Sequence, residues 1–89
     1  MKTTKKEYKE IANHMDRRIQ KENIKNEFLL LEACKDMVNQ FKREFGLTEP
    51  NELDDKYLYE AHEFIDNYKL PFWLWEKVEL EKENGEINN

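Results

Sequence analysis

Apolar residues recur along the first part of the chain at spacings of three and four, which is the period of an α-helix with one buried face. Most of the positions between them carry Lys, Glu, Asp or Arg, which suit a solvated face. The pattern therefore predicts a first amphipathic helix over about residues 4–20. Its apolar stripe consists of Tyr8, Ile11, Ala12, Met15 and Ile19.

A second apolar stripe follows on a different side of the helical wheel. Between residues 20 and 27 only Ile24 is apolar. Such a phase slip indicates a break, with Asn23 or Asn26 available to cap a second helix over about residues 26–45. Gly46 then stands where a helix-ending glycine is expected. One continuous helix over 4–45 is the alternative, because no Gly or Pro interrupts that stretch. The second stripe consists of Leu30, Leu31, Cys34, Met37, Val38, Phe41 and Phe45.

The remainder of the chain predicts two shorter helices. Pro50 interrupts the chain in a loop, and Asp54 or Asp55 can cap a third helix over about residues 55–68. Pro71 suits the first turn of a fourth helix over about residues 71–83. The third helix would bury Tyr57, Leu58, Ala61, Phe64, Ile65 and Tyr68.

The end of the chain leaves an alternative open. Val78 and Leu80 alternate with polar residues, which would also fit a terminal hairpin turning at Asn84-Gly85. Residues 85–89 are expected to fray, as chain ends do. A single domain over residues 1–84 follows from either reading.

Composition favours a small all-α fold of three to four helices. The 89 residues can build one core, and 39% of them are charged against 38% hydrophobic. Two Gly and two Pro are too few for the turns of a many-stranded sheet. No apolar run approaches a signal peptide or a membrane span. Because Cys34 is the only cysteine and suits a core position, we expect a protein of the cytoplasm.

Catalytic and metal-binding patterns are not apparent in the sequence. His14 and His62 are the only histidines, and neither has a second histidine three or four residues away, so one helix cannot offer a two-His metal face. His62 is expected to be a solvated surface residue. The acidic loop around Asp54 and Asp55 lacks the spacing and central glycine of an EF-hand. We therefore predict a protein that is no enzyme and uses no metal or cofactor.

Charge is divided unevenly along the chain. Residues 1–25 contain eight basic and four acidic side chains, a net charge of +4, so the other residues carry −9 of the total of −5. Lys, Arg, Asn and Gln on one face of the first helix form a candidate nucleic-acid surface, and a simple solvated face is the alternative. The acidic remainder would repel phosphates. This candidate surface consists of Lys2, Lys5, Lys6, Lys9, Asn13, Arg17 and Gln20.

Two apolar runs, residues 28–31 and residues 72–75, cannot each turn all their side chains toward a single core. Four consecutive helical residues sweep about 300° around the helix axis, so part of each run must point outward. Exposed aromatic residues in a small protein are typical of a partner interface, although the chain could also fold back over them. Of Trp73 and Trp75, one is expected in the core and the other at the interface. The candidate partner-binding residues are Phe72, Trp73, Trp75, Phe28 and Leu29.

The run Phe41-Lys42-Arg43-Glu44-Phe45-Gly46, followed by a loop and then Tyr57, Ala61, Phe64-Ile65 and Tyr68, resembles the C-terminal domain of phage antirepressor proteins. The resemblance covers about residues 30–70. It implies a phage or prophage protein that acts on the lysis–lysogeny decision. The closing aromatic of the family pattern is often Trp and is Tyr68 in this chain. Family members usually carry a separate N-terminal DNA-binding or regulatory domain, to which nothing in this sequence corresponds.

Three hypotheses follow for the function. The first is a non-catalytic, antirepressor-like regulator that binds a repressor or other host or phage protein, with a homodimer also possible. The second is a DNA-binding transcription regulator that uses the first helix. The third is an anti-CRISPR-like inhibitor of a host defence nuclease, whose acidic surface would imitate DNA phosphates.

Overall fold

The computed structural model describes the backbone of residues 1–87 and the side chains of residues 1–83. This part of the chain forms four α-helices and no strand, which confirms the all-α prediction. Two short 3₁₀ turns, Pro50–Glu52 and Asp55–Tyr57, lie between the second and third helices. The helices are α1 (Lys5–Gln20), α2 (Glu27–Phe45), α3 (Leu58–Asp66) and α4 (Phe72–Ile87).

Side-chain caps separate α1 from α2, so the single continuous helix is wrong. Thr4 and Glu7 form a reciprocal capping box at the start of α1. After α1, Asn23 adopts a left-handed conformation with φ of 55°, which asparagine tolerates better than most residues. The Asn26 side chain then accepts hydrogen bonds from the backbone N–H groups of Phe28 and Leu29, at 2.9 and 3.1 Å.

Gly46 ends α2 in the predicted way. Its φ of 64° lies in the left-handed region, which costs glycine little. The N–H of Gly46 donates to the Arg43 carbonyl at 3.3 Å, and the N–H of Leu47 donates to the Lys42 carbonyl at 2.8 Å. This pair of bonds is a Schellman motif, which satisfies two carbonyls that the helix leaves open.

The linker after α2 is pinned by the N-terminal residues. The N–H of Thr3 donates to the Leu53 carbonyl at 2.9 Å, and the N–H of Asp55 donates to the Met1 carbonyl at 2.7 Å. Asp54 caps the following 3₁₀ turn by accepting from the Lys56 N–H at 3.0 Å. Because this turn occupies residues 55–57, α3 is shorter than the predicted 55–68.

Helix α2 lies at the centre and packs against the three other helices. Contact on several sides shifts its buried face, so Leu29 and Ala33 are buried while Leu31 is exposed, contrary to the predicted stripe. Phe64 and Phe45 are half-buried against this core. The buried residues are Ile11, Ile19, Leu29, Ala33, Met37, Phe41, Leu53, Ala61, Ile65, Tyr68, Leu74 and Val78.

Helix α4 follows Pro71 and buries a narrow stripe against α2. The Pro71 carbonyl accepts from the N–H groups of Leu74 and Trp75, at 3.0 and 2.9 Å. The helix runs through Gly85 to Ile87, so the hairpin alternative is wrong. A single glycine inside a helix costs about 1 kcal/mol, which need not end it. Residues 88 and 89 lie outside the described part of the chain.

Replacing Phe41 or Ile65 by Ala removes a side chain with no solvent exposure. We expect each change to lower the free energy of unfolding by about 2–5 kcal/mol, because it leaves a cavity at the packed centre. Thermal and urea unfolding followed by circular dichroism measure this loss. Tyr59→Ala is the control, since that ring is 76% exposed and should matter little. Unchanged melting of both core variants would contradict the core assignment.

Candidate functional site

The aromatic run at the start of α4 lies mainly outside the core. Leu74 is buried, whereas Phe72, Trp73 and Trp75 are 73%, 49% and 46% exposed. The expectation that one of the two tryptophans belongs to the core is therefore wrong. A helix sweeps about 100° per residue, so burial of Leu74 turns both of its neighbours toward the flanks of α4.

One flank of α4 lies beside the start of α2 and carries exposed apolar side chains. The Lys77 ammonium lies 5.5 Å from the centre of the Trp73 ring, within cation–π distance. Lys77 and Leu80 line a shallow groove together with Phe28. Phe28 is 64% exposed and Leu80 is 51% exposed. We call this set of Phe28, Trp73, Lys77 and Leu80 the aromatic surface.

Leu29 does not belong to the exposed part of that surface, although the sequence suggested it as a partner-binding residue. Its side chain is only 9% exposed. It lies at the base of the groove beside Lys77, Leu80 and Glu81 of α4. The docking of α4 covers it, and a helical wheel of α2 alone contains no information about that docking.

The opposite flank of α4 carries a second aromatic pair. The Phe72 and Trp75 rings are 5.9 Å apart between centroids with an interplanar angle of 28°, an offset-stacked arrangement. Residues 73 and 75 are separated by about 200° around a helix. The two tryptophans therefore serve different surfaces.

The predicted basic stripe is present on one outer face of α1 and at Lys2, three residues before that helix. All of its members are exposed. Within the side chains that the structure describes, neither its lysines nor Arg17 form a salt bridge, and Gln20 donates to Asp16 at 3.0 Å. We call Lys2, Lys5, Lys6, Lys9, Asn13, Arg17 and Gln20 the basic face.

Acidic side chains predominate between residues 49 and 66. This stretch contains seven Asp and Glu residues and only one Lys or Arg residue, Lys56. The backbone N–H of Lys56 and the N-terminal ammonium, 3.1 Å away, together lower the pKa of Asp54 to about 2. The acidic residues are Glu49, Glu52, Asp54, Asp55, Glu60, Glu63 and Asp66.

The two histidines meet between α1 and α3, which the sequence did not predict. His14 Nδ1 lies 2.7 Å from His62 Nδ1, and His14 Nε2 lies 2.6 Å from Asp66 Oδ1. The ring centroids are 4.9 Å apart with an interplanar angle of 21°. Since the nitrogens are much closer than the centroids, the rings meet edge to edge rather than face to face. His62 is half-buried, so its interpretation as a solvated residue is wrong.

Electrostatics of the histidine pair follow from these contacts. The hydrogen bond from His14 lowers the pKa of Asp66, so this carboxylate stays ionised. Burial lowers the pKa of His62, and the charge that His14 can carry lowers it further. We call His14, His62 and Asp66 the histidine cluster. Both nitrogens of His14 already have partners, so the cluster is a hydrogen-bonded chain and no ready-made metal site.

A second polar network ties the end of α1 to the segment before α4. Arg18 donates to the Tyr68 carbonyl and to Glu22, and the Tyr68 hydroxyl donates to Asp36 at 2.6 Å. Burial and the neighbouring Asp36 raise the pKa of Tyr68, so its hydroxyl remains protonated. These bonds satisfy groups that packing would otherwise leave unpaired.

Cys34 is half-buried and lines an apolar groove between α1 and α2 together with Met15 and Met37. Burial raises the pKa of its thiol, which keeps the less reactive protonated form. Among the described residues, no group of three or more His, Cys, Asp or Glu side chains could hold a metal ion. None of the described helices has the length and apolar character needed to cross a membrane.

Comparison with known protein families, curated protein sequences and solved structures finds no match to this chain.

Replacing Trp73 or Trp75 by Ala should leave the fold intact, because each side chain is about half exposed. We expect either change to lower the free energy of unfolding by about 1 kcal/mol or less, whereas Leu74→Ala should cost about 2–5 kcal/mol. Urea unfolding of the three variants measures the difference. Loss of the folded state in either tryptophan variant would mean that these rings are structural.

Proposed function

We propose that this protein is a non-catalytic regulatory protein, antirepressor-like, that acts by binding a protein partner through the aromatic surface. The observation that carries this proposal is the exposure of Phe28 and Leu80 along one groove between α2 and α4, with the exposed Trp73 about two turns away on the same side of α4. Monomeric proteins rarely leave large contiguous apolar patches without a binding role.

The composition of the aromatic surface suggests how it would bind. Trp and Phe bury much apolar area while losing few rotatable bonds, and central aromatic residues often contribute about 2 kcal/mol or more to an interface. Lys77 lies over the Trp73 ring and adds a positive charge among apolar groups. The matching partner is an amphipathic helix with an apolar stripe and an acidic residue that meets Lys77.

The antirepressor-like role follows from the resemblance over residues 30–70. These residues form most of α2, its glycine-ended turn, the linker and α3. Their shared pattern concerns packing, since Phe41, Ala61 and Ile65 are buried. We therefore propose a phage or prophage repressor as the partner, bound by a surface that the common pattern does not include.

The proposal can be tested by partner capture with matched variants. Tagged wild-type protein, Trp73→Ala and Phe28→Ala would be incubated with lysate of the organism that encodes the chain. We expect a repressor-class protein to be retained by the wild type and lost by both variants, at least tenfold, because one hot-spot ring is worth about 2 kcal/mol. The captured protein would then be purified and its affinity measured by calorimetry.

Tyr59→Ala and Trp75→Ala serve as controls, because Tyr59 is on α3 and Trp75 is on the other flank of α4. Both should bind like the wild type. Sedimentation of the protein alone tests whether a second copy occupies the aromatic surface instead. Equal retention of the partner by all four variants would refute this surface as the binding site.

Nucleic acid is a second candidate partner, favoured by one observation. The basic face carries its positive charges on the solvent side of α1, and no intramolecular ion pair within residues 1–83 neutralises them. Helices that bind DNA place such side chains against phosphates and base edges. The acidic residues 49–66 oppose this binding, so the aromatic surface remains the better-supported site.

If the basic face binds DNA, reversing Lys6, Lys9 and Arg17 to Glu should abolish a mobility shift that the wild type gives at low salt. The shift should also weaken steeply as salt is raised, because binding releases counterions. Reversing Lys35, Lys56 and Lys69 changes the net charge equally and should have less effect. A wild-type protein that shifts no duplex at low salt would eliminate this candidate.

A further inference from the structure

The histidine cluster has a definite arrangement of protons at neutral pH. Asp66 is ionised and can only accept, so His14 donates to it from Nε2. A neutral His14 then has a lone pair on Nδ1, which must accept the hydrogen from Nδ1 of His62. His62 is therefore held as its Nδ1–H tautomer, with the lone pair on Nε2.

We propose that the histidine cluster is a proton-operated latch between α1 and α3, closed at neutral pH and opened by mild acid. The cluster joins residues 48 and 52 positions apart in the sequence, across the α1–α3 contact. This inference is independent of which partner the protein binds.

The edge-to-edge geometry limits the number of protons that the latch can hold. A first added proton goes to Nε2 of His62, and the bond between the two Nδ1 atoms survives. A second must go to Nδ1 of His14, which is the acceptor of that bond. Two N–H groups would then face each other at 2.7 Å on two adjacent cations. The rings must separate, because neither nitrogen can accept.

Charged groups of both helices act on the cluster. On α1, Glu10 favours a positive charge on His62, and Arg17 opposes it. On α3, Asp66 favours a positive charge on His62. Lys21, which follows α1, helps to lower the pKa of Asp66. Burial and a charge on His14, with a smaller part from Arg17, outweigh the attraction of Glu10 and Asp66, so the surroundings oppose a second positive charge in the pair.

The direction of the pH effect follows from His62. A histidine whose pKa is lower in the folded protein than its ordinary value of 6.5 binds a proton more readily when released. Its contribution to stability is complete above pH 6.5 and is lost as the pH falls below that value. Mild acid therefore favours release of α1 from α3.

Nuclear magnetic resonance can test the proton arrangement without ambiguity, because the chain contains two histidines only. In ¹⁵N-labelled wild-type protein at pH 7.5, we expect His62 as the Nδ1–H tautomer and His14 as the Nε2–H tautomer. The pair should take up two protons in separate steps. Two histidines in the same tautomer that titrate together near pH 6.5 would overturn the proposal.

Hydrogen exchange tests the opening itself. After correction for intrinsic rates, protection of α1 amides should fall roughly tenfold between pH 7 and pH 5, because a released His62 binds a proton more readily than the latched one. Amides at the centre of α2 serve as the internal comparison and should lose less. Unchanged protection of α1, or an equal loss in α1 and α2, would show that no separate latch exists.

A histidine-to-glutamine variant supplies the matched control. In His62→Gln the amide can still donate to His14 Nδ1, but it does not titrate between pH 5 and 7. We expect its α1 protection to change less than threefold over that range. The tautomer measurement on the wild type decides the question if this variant does not fold. A pH response in His62→Gln equal to that of the wild type would overturn the role of the pair.

Discussion

Burial of α2 against three other helices is the constraint on which the rest of the structure depends. The side chains of Ala33, Met37 and Phe41 on this helix have almost no solvent exposure. Because α1, α3 and α4 are each short and mostly charged outside, none has an apolar face that would be stable alone. Each surface described above is therefore positioned by the way its helix meets α2 or a neighbour of α2.

The parts of the fold that could be predicted from the sequence are those controlled by local chemistry. Asn26 and Gly46 define the ends of α2 through hydrogen bonds within a few residues, and Thr4 begins α1 in the same way. Leu29 and Leu31 were assigned to the wrong environments, since their burial depends on where α4 docks. The histidine cluster was missed for a similar reason, because its members are 48 or more residues apart.

The two candidate interaction surfaces differ in how far the sequence could specify them. Every member of the basic face was predicted, since one helical wheel of α1 suffices to align its residues. The aromatic surface was only partly predicted, because Lys77 and Leu80 join Phe28 through a contact between helices. The sequence of residues 72–75 shows that some of these four side chains must be exposed. Which of them is buried, namely Leu74, depends on how α4 packs and cannot be predicted from the run alone.

The connection between α1 and α3 has a consequence for the order of folding. Contacts of α2 with α1 and with α3 close short loops, whereas the bonds from His14 to Asp66 and from Arg18 to Tyr68 close loops of 52 and 50 residues. Longer loops lose more chain entropy on closure, so contacts across them form late unless other structure has already shortened the path. Prior folding of α1 and α3 onto α2 provides that path, so we expect their mutual docking to form late in assembly.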